Sequence, residues 1–215
     1  PPEPGTPLPG PLRLPPPGTR ALGTVILLAD HGLDADEVRQ RAEAWTKEGS
    51  AVCAVELRAT GKRKPKTNPG AGAADHNEAE WGVWVGRPLL GQWVCDALGW
   101  IDAIDGLVGS SSGRLLREFV DHPLSLRSVG PIGVATILAA AYEPRVESTI
   151  VENCLVSYVA PEPSDWSGIP MGLIAPHVVE AGDVARFAAL LAPRRLSILG
   201  GVETNGRPVS QERLD

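Results

Sequence analysis

The sequence lacks long apolar runs and an excess of positive charge. None of its apolar runs approaches the roughly 20 residues that a helix needs to span a bilayer. Its 20 Lys and Arg residues stand against 26 Asp and Glu, which gives a net charge of −6 over 215 residues. Nucleic acid and anionic membranes are bound by clustered Lys and Arg, so the composition argues against both partners. The length and the 43% hydrophobic content are those of a soluble globular domain with its own core.

Cysteine and histidine are also scarce. The three cysteines show no C-x-x-C spacing, and the four histidines show no spacing typical of metal ligands. The sequence therefore predicts no metal site and no cofactor. Buried free thiols are expected, although one disulfide could form, and a secreted or periplasmic location is slightly favoured over a cytoplasmic one. The residues concerned are Cys53, Cys95, Cys154, His31, His76, His122 and His177.

Proline is concentrated at the N-terminus. Residues 1–18 carry nine of the 21 prolines, a composition that disfavours helix and sheet and favours an extended, polyproline-like segment. We interpret residues 1–19 as a linker or N-terminal extension that follows another domain. Residues 20–215 are then expected to form a single domain.

From residue 20 onward, strand-like and helix-like segments alternate. The helix after the first strand has Asp34 or Asp36 as a candidate N-cap and Gly49 as its end, and later helices open near Pro88 and at Asp183. This order predicts an α/β fold with a doubly wound, mostly parallel sheet in three layers. The predicted strands are residues 24–29, 51–57, 124–129, 146–151 and 196–199.

The stretch from Leu124 to Ala141 is the centre of this pattern, because it reads as strand, tight turn and helix. Many enzymes carry a nucleophilic serine on such a turn, in a G-x-S-x-G elbow. Residues 129–133 here are Val-Gly-Pro-Ile-Gly, so the nucleophile position holds Pro131, which has no hydroxyl. In a doubly wound sheet, ligands bind where the winding reverses. If the first and central strands are neighbours, that point lies between residues 30–32 and residues 130–133.

Three short motifs occur in a familiar order. His31-Gly32 follows the first strand, Leu57-Arg58-Ala59-Thr60-Gly61 follows the second, and Ala192-Pro193-Arg194 precedes the last. They resemble the HG turn, the L-R-G-x-G loop and the APR signature of α/β-hydrolases of the acetyl xylan esterase and dienelactone hydrolase type. The chain looks most like a degenerate, non-catalytic domain of a larger bacterial esterase. The resemblance implies a hydrolase-like fold, a small ester or carbohydrate ligand, and oxyanion-hole-like turns at His31, Gly32 and Ile132.

The departures from that family concern the catalytic triad, which would follow the chain order Ser, Asp or Glu, His. Glu203 is available where the acid belongs, although an exposed turn carboxylate is the simpler interpretation. No histidine follows His177, so the last strand and helix of the family, and the base that follows the strand, are expected to be missing. A second G-x-S-x-G match centres on Ser111, with His122 nearest in sequence, and reads more simply as a Ser/Gly loop.

The sequence therefore predicts a hydrolase-like domain without a recognisable triad, a structural or substrate-presenting partner of a carboxylesterase domain or subunit. Whether the chain is an enzyme stays open, with the balance against catalysis. One alternative is an active carboxylic ester hydrolase with an unrecognised nucleophile. Another is a nicotinamide-nucleotide-binding domain, because Gly130–Gly133 resembles part of a dinucleotide fingerprint and Glu152 follows about 20 residues later.

Overall fold

Six strands form one sheet in the computed structural model, which describes residues 10–64, 73–108, 117–159 and 168–210. They are β1 (Leu12–Arg13), β2 (Gly23–Ala29), β3 (Ser50–Glu56), β4 (Leu124–Val129), β5 (Val146–Leu155) and β6 (Arg195–Val202). The strands lie in the order β1-β3-β2-β4-β5-β6. The short β1 is antiparallel to β3, and every other neighbouring pair is parallel. The predicted fold class is confirmed.

The helices connect successive parallel strands. Those of the described residues are α1 (Asp36–Glu48), α2 (His76–Trp84), α3 (Leu89–Val108), α4 (Arg117–Val120), α5 (Gly133–Tyr142), α6 (Val178–Ala181) and α7 (Val184–Ala189). None of them is long and apolar enough to cross a membrane.

The core lies on both faces of the sheet. On one face, α3 and α5 pack against strand residues such as Ile26, Leu126 and Val151. On the other face, Val38 and Ala42 of α1 pack against β2 and β3. Helices on both faces of a parallel sheet give the predicted three layers.

The two ends of α1 can be compared with two sequence predictions, an aspartate N-cap and a glycine at the C-terminal end. Gly49 ends the helix with φ of 116°, a left-handed conformation in which its N–H bonds the Thr46 carbonyl. The predicted N-caps were wrong: Ala35 occupies that position, without a side-chain hydrogen bond. Asp34 pairs instead with Lys62. Asp36 is already the first helical residue, and it pairs with Arg39 one turn later.

The predicted N-terminal extension contributes to the sheet. Leu12 and Arg13 pair with Cys53 and Val52, so β1 adds a two-residue edge strand ahead of the predicted domain start. At the opposite edge β6 runs from Arg195 to Val202, longer than predicted.

Candidate functional site

A crevice lies at the carboxyl ends of β2 and β4. The two strands are direct neighbours, with Ala29 opposite Val129, so the residues that follow them meet at one point of the sheet. The winding reverses here, because the chain moves from β2 outward to β3 and returns to β4 on the other side of β2. The cavity measures about 870 Å³. The condition for the predicted site location, that the first and central strands adjoin, is thus met.

One side of the crevice is formed by Asp30 and His31. Asp30 follows β2 and is buried, and His31 Nδ1 lies 2.6 Å from Asp30 Oδ1. Glu37 Oε1 lies 3.6 Å from the same imidazole nitrogen. The Asp30 carboxylate accepts a hydrogen bond from the imidazole and attracts its positive charge, and both effects raise the pKa of His31 above 6.5.

The turn after β4 supplies the opposite side. Gly130 has φ of 99°, and a Cβ atom at this position would lie 2.5 Å from Asp30 Oδ2. Only glycine fits there, because the Asp30 carboxylate packs directly against its backbone. Pro131, which follows, also lines the crevice. Its ring restricts φ to about −65°, so the left-handed residue of this turn is Gly130.

The predicted oxyanion-hole-like turns differ in their surroundings. Ile132 is the N-cap of α5, and its side chain is fully buried. Gly32 has φ of 89°, and a Cβ atom there would lie 2.6 Å from the Gly61 Cα. The HG turn therefore packs against the loop that contains Gly61. Glu56 joins the two, since its carboxylate accepts hydrogen bonds from the Leu33 and Lys62 backbone N–H groups at 3.2 and 2.9 Å.

Side chains of α3 fix the position of the loop that contains Arg58. Arg58 makes a bidentate ion pair with the fully buried Asp96 at 2.8 and 2.9 Å. Trp93 is also fully buried, and its indole N–H donates to the Arg58 carbonyl at 2.8 Å. These contacts account for the arginine of the L-R-x-x-G motif and place Trp93 in the crevice wall.

A second carboxylate, that of Asp75, connects two segments of the crevice wall. Asp75 is buried, and it accepts hydrogen bonds from the Met171 and Gly172 backbone N–H groups at 3.0 and 2.7 Å. These bonds tie the start of α2 to residues 171–173 and complete the wall. His76 lies in the same wall as the first residue of α2.

The other predicted candidates lie elsewhere. Ser111 is outside the described residues. Glu203 lies in the turn after β6. Val202 at the end of β6 and Gly206 in that turn both line the crevice. His122 lines a separate cavity beside Thr24 and Leu124, at the opposite end of the strands. His177 is exposed and pairs with Glu180 at 3.0 Å.

Glu152, the candidate ribose-binding acid, is opposite Val129 in the sheet. Its carboxylate makes an ion pair with Arg41 of α1, and it is absent from the described crevice lining. The Gly130–Gly133 turn and this acid therefore do not meet in the crevice.

The described lining holds no serine or cysteine. Its one hydroxyl, that of Thr60, donates to the Leu57 carbonyl at 2.8 Å. Cys154 approaches α5 closely, since a Cβ atom at Gly133 would lie 2.7 Å from its Sγ. Burial raises the pKa of the Cys154 thiol to about 12, so the thiol stays protonated and unreactive. The described residues also contain no cluster of three or more His, Cys, Asp or Glu placed to hold a metal ion.

Sequence reasoning placed the segments 30–32 and 130–133 at the site but missed Asp75 and Trp93, and it gave Asp30 no role of its own. Asp30 had a usable signal, because a carboxylate directly after a buried strand and before a histidine must lie at the sheet's carboxyl edge. Asp75 and Trp93 gave none, because their partners Gly172 and Arg58 are distant in sequence.

No protein-family model matches the sequence, and no curated protein matches it. Solved structures do resemble it. Methylesterase BT1017 is 15% identical, with a TM-score of 0.61 over 89% of this chain and 38% of its own. A carbohydrate esterase family 15 glucuronoyl esterase from Caldicellulosiruptor kristjansonii is 17% identical, with a TM-score of 0.58 over 89% of this chain and 57% of its own.

A third similar structure is a Klebsiella pneumoniae protein assigned as a dienelactone hydrolase. It is 15% identical, with a TM-score of 0.52 over 95% of this chain and 87% of its own. The chain spans only 38% of the methylesterase and 57% of the glucuronoyl esterase that it resembles. At these identities the likeness concerns the fold, which is that of the α/β-hydrolases.

Proposed function

We propose that this chain is a hydrolase-fold domain that forms no acyl-enzyme and serves as a structural or substrate-presenting partner of a carboxylesterase. The observation that carries the proposal is Pro131 at the elbow, between Gly130 and α5. A serine at this position would supply the attacking oxygen. Proline supplies no attacking oxygen, and the described lining contains no serine or cysteine.

The position of Asp30 supports the same proposal. Acyl transfer needs donors aimed at a developing oxyanion. Here a carboxylate lies against Gly130, beside the turn that would bind the oxyanion. A carboxylate beside this turn would repel a developing oxyanion, so the turn is unsuited to stabilising a tetrahedral intermediate. A cavity of about 870 Å³ nevertheless remains, within the range of small-molecule sites, which suits a role in holding a ligand.

The test is hydrolysis of p-nitrophenyl acetate by the purified chain, with a Ser111→Ala variant beside it. We expect no turnover above the buffer rate in either protein, and no labelling by a serine-directed fluorophosphonate. Turnover that disappears in Ser111→Ala would contradict the proposal and identify the nucleophile.

A second candidate function is favoured by the Asp30–His31 pair. A carboxylate on Nδ1 leaves Nε2 as the basic nitrogen, the arrangement of a histidine general base. His31 could then remove a proton from water as the water oxygen attacks an ester carbonyl, without a covalent intermediate. Turnover that survives Ser111→Ala and is lost in His31→Ala would select this candidate.

A further inference from the structure

A second cavity lies at the amino ends of β2 and β4. It measures about 420 Å³, which is within the range of small-molecule sites. Thr24 and Leu124, which are paired at the start of the two strands, form part of its lining. The crevice lies at the carboxyl ends of the same strands, so the two cavities are separated by the length of the sheet.

The inner surface of this cavity is aliphatic. Ile101 and Ile104, one turn apart on α3, are both buried members of the main core. Val120 and Leu124 are partly buried and pack against the same core. All four side chains line the cavity, so its floor favours an apolar group over water.

The rim of the cavity is acidic. Asp105, Asp121 and Glu147 line it with exposed carboxylates, and His122 and Arg145 are the other titratable side chains of the described lining. The carboxylates of Asp121 and Glu147 make no hydrogen bond or ion pair within the part of the chain that the structure describes. Their negative charges are therefore available to a ligand.

Arg145 does not neutralise this rim. Its guanidinium pairs with Asp102 and Glu143 at 2.6 Å each, and with Asp105. One cation is thus shared by three carboxylates, which leaves an excess of negative charge even before Asp121 and Glu147 are counted. Arg194 lies close by, but its guanidinium donates to three backbone carbonyls.

We propose that this cavity binds a small organic ammonium ion, whose apolar chain contacts Ile101 and Ile104 and whose charged group pairs with Asp121 and Glu147. The rim repels an anion, and a neutral apolar molecule leaves both carboxylates without a partner. An inorganic cation gains nothing from the aliphatic floor. This inference goes beyond the proposed function, because the cavity is separate from the crevice and takes no part in ester chemistry.

The test is titration of the purified chain with n-hexylammonium chloride at constant pH, followed by NMR of the imidazole protons. His122 lines this cavity, His31 and His76 line the crevice, and His177 is exposed beside Glu180. We expect the His122 resonances to shift and to saturate, while those of the other three histidines stay in place. Unchanged His122 resonances overturn the proposal, and so do equal shifts in all four histidines.

Two matched ligands separate the contributions of the rim and the floor. Hexanoate has a similar chain with the opposite charge, and we expect it not to bind. Ethylammonium has the same charge on a shorter chain, and its Kd should be at least about ten-fold higher, because fewer methylene groups are buried. Hexanoate that binds as tightly as n-hexylammonium rejects the acidic rim, and equal Kd values for the two ammonium ions reject the aliphatic floor.

Charge-removing variants locate the bound cation. Asp121→Asn and Glu147→Gln should each raise the Kd of n-hexylammonium about two- to five-fold, the effect of an exposed ion pair. Glu43→Gln, the same change on an exposed residue of α1, should leave the Kd unchanged. Circular dichroism checks folding, which is expected to persist because these side chains are exposed. A Kd that neither cavity variant changes overturns the proposal, and so does an equal rise in Glu43→Gln.

Discussion

The two halves of the sheet are built differently. Every residue of β2 and β3 is buried, because α1 covers one face and α3 and α5 cover the other. In β5 and β6 burial alternates, and the face that carries Glu152 and Leu199 is partly exposed. Parallel sheets normally have both faces covered. The inner half thus follows the rule for a core, while the outer half keeps one face partly exposed.

The largest expected difference between the halves concerns their ion pairs. In the inner half, Asp96→Asn removes the buried charge that faces the partly buried Arg58 guanidinium, and we expect a loss of about 3–5 kcal/mol in the free energy of unfolding. In the outer half, Glu152→Gln breaks a pair with the half-exposed Arg41 and should cost about 1 kcal/mol or less. Urea denaturation measures both. Equal losses would show that the inner half is no better buried than the outer half.

Leucine truncation sharpens the same contrast. Leu28→Ala leaves a cavity between β2 and the α3–α5 layer and should cost about 2–5 kcal/mol. Leu199→Ala removes a side chain that is 54% exposed and should change stability by about 0.5 kcal/mol or less. The measurement is the urea midpoint of each variant. A large loss for Leu199→Ala would mean that its face is covered.

The stability cost of a glycine-to-alanine substitution can be compared between the two halves. Gly130→Ala forces a Cβ against the Asp30 carboxylate at φ of 99°, and we expect a loss of about 1–3 kcal/mol. Gly200→Ala, at φ of 67° with Asn153 Oδ1 at 3.0 Å, should cost about 1 kcal/mol. If Asp30→Ala relieves part of the cost of Gly130→Ala in a double-mutant cycle, the contact between the two residues is confirmed. Simple additivity argues against that contact.

The smallest effect is expected at the crevice rim. The pKa of His31 is raised by Asp30, so the ion pair stabilises the fold at pH below 6.5, and this contribution is lost as pH rises through the folded-state pKa. Asp30→Asn should lower the His31 pKa. NMR titration of the His31 imidazole protons in the parent and in Asp30→Asn measures the shift. An unchanged His31 pKa in Asp30→Asn would show that Asp30 and His31 do not interact at the site.

The inner strands were predicted within a residue, because their apolar runs are continuous and end at charged residues or glycine. The outer strands were predicted too short. Glu152 and Asn153 interrupt the apolar run of β5, and Gly200 and Gly201 are typical of the end of a strand. Both strands nevertheless continue through these residues. Their extension depends on pairing with each other, which local sequence does not record.

The sequence alone determined the alternation of strands and helices, and with it the doubly wound class, because hydrophobic periodicity is a local property. It also determined that the elbow carries no nucleophile, since the chemistry of Pro131 is the same in any fold. Only the tertiary structure decided that Asp30 packs against Gly130, that Trp93 and Asp75 line the crevice, and that β5 and β6 extend each other by pairing. Each of these depends on contacts between residues far apart in the chain, and such contacts form only when the sheet is assembled.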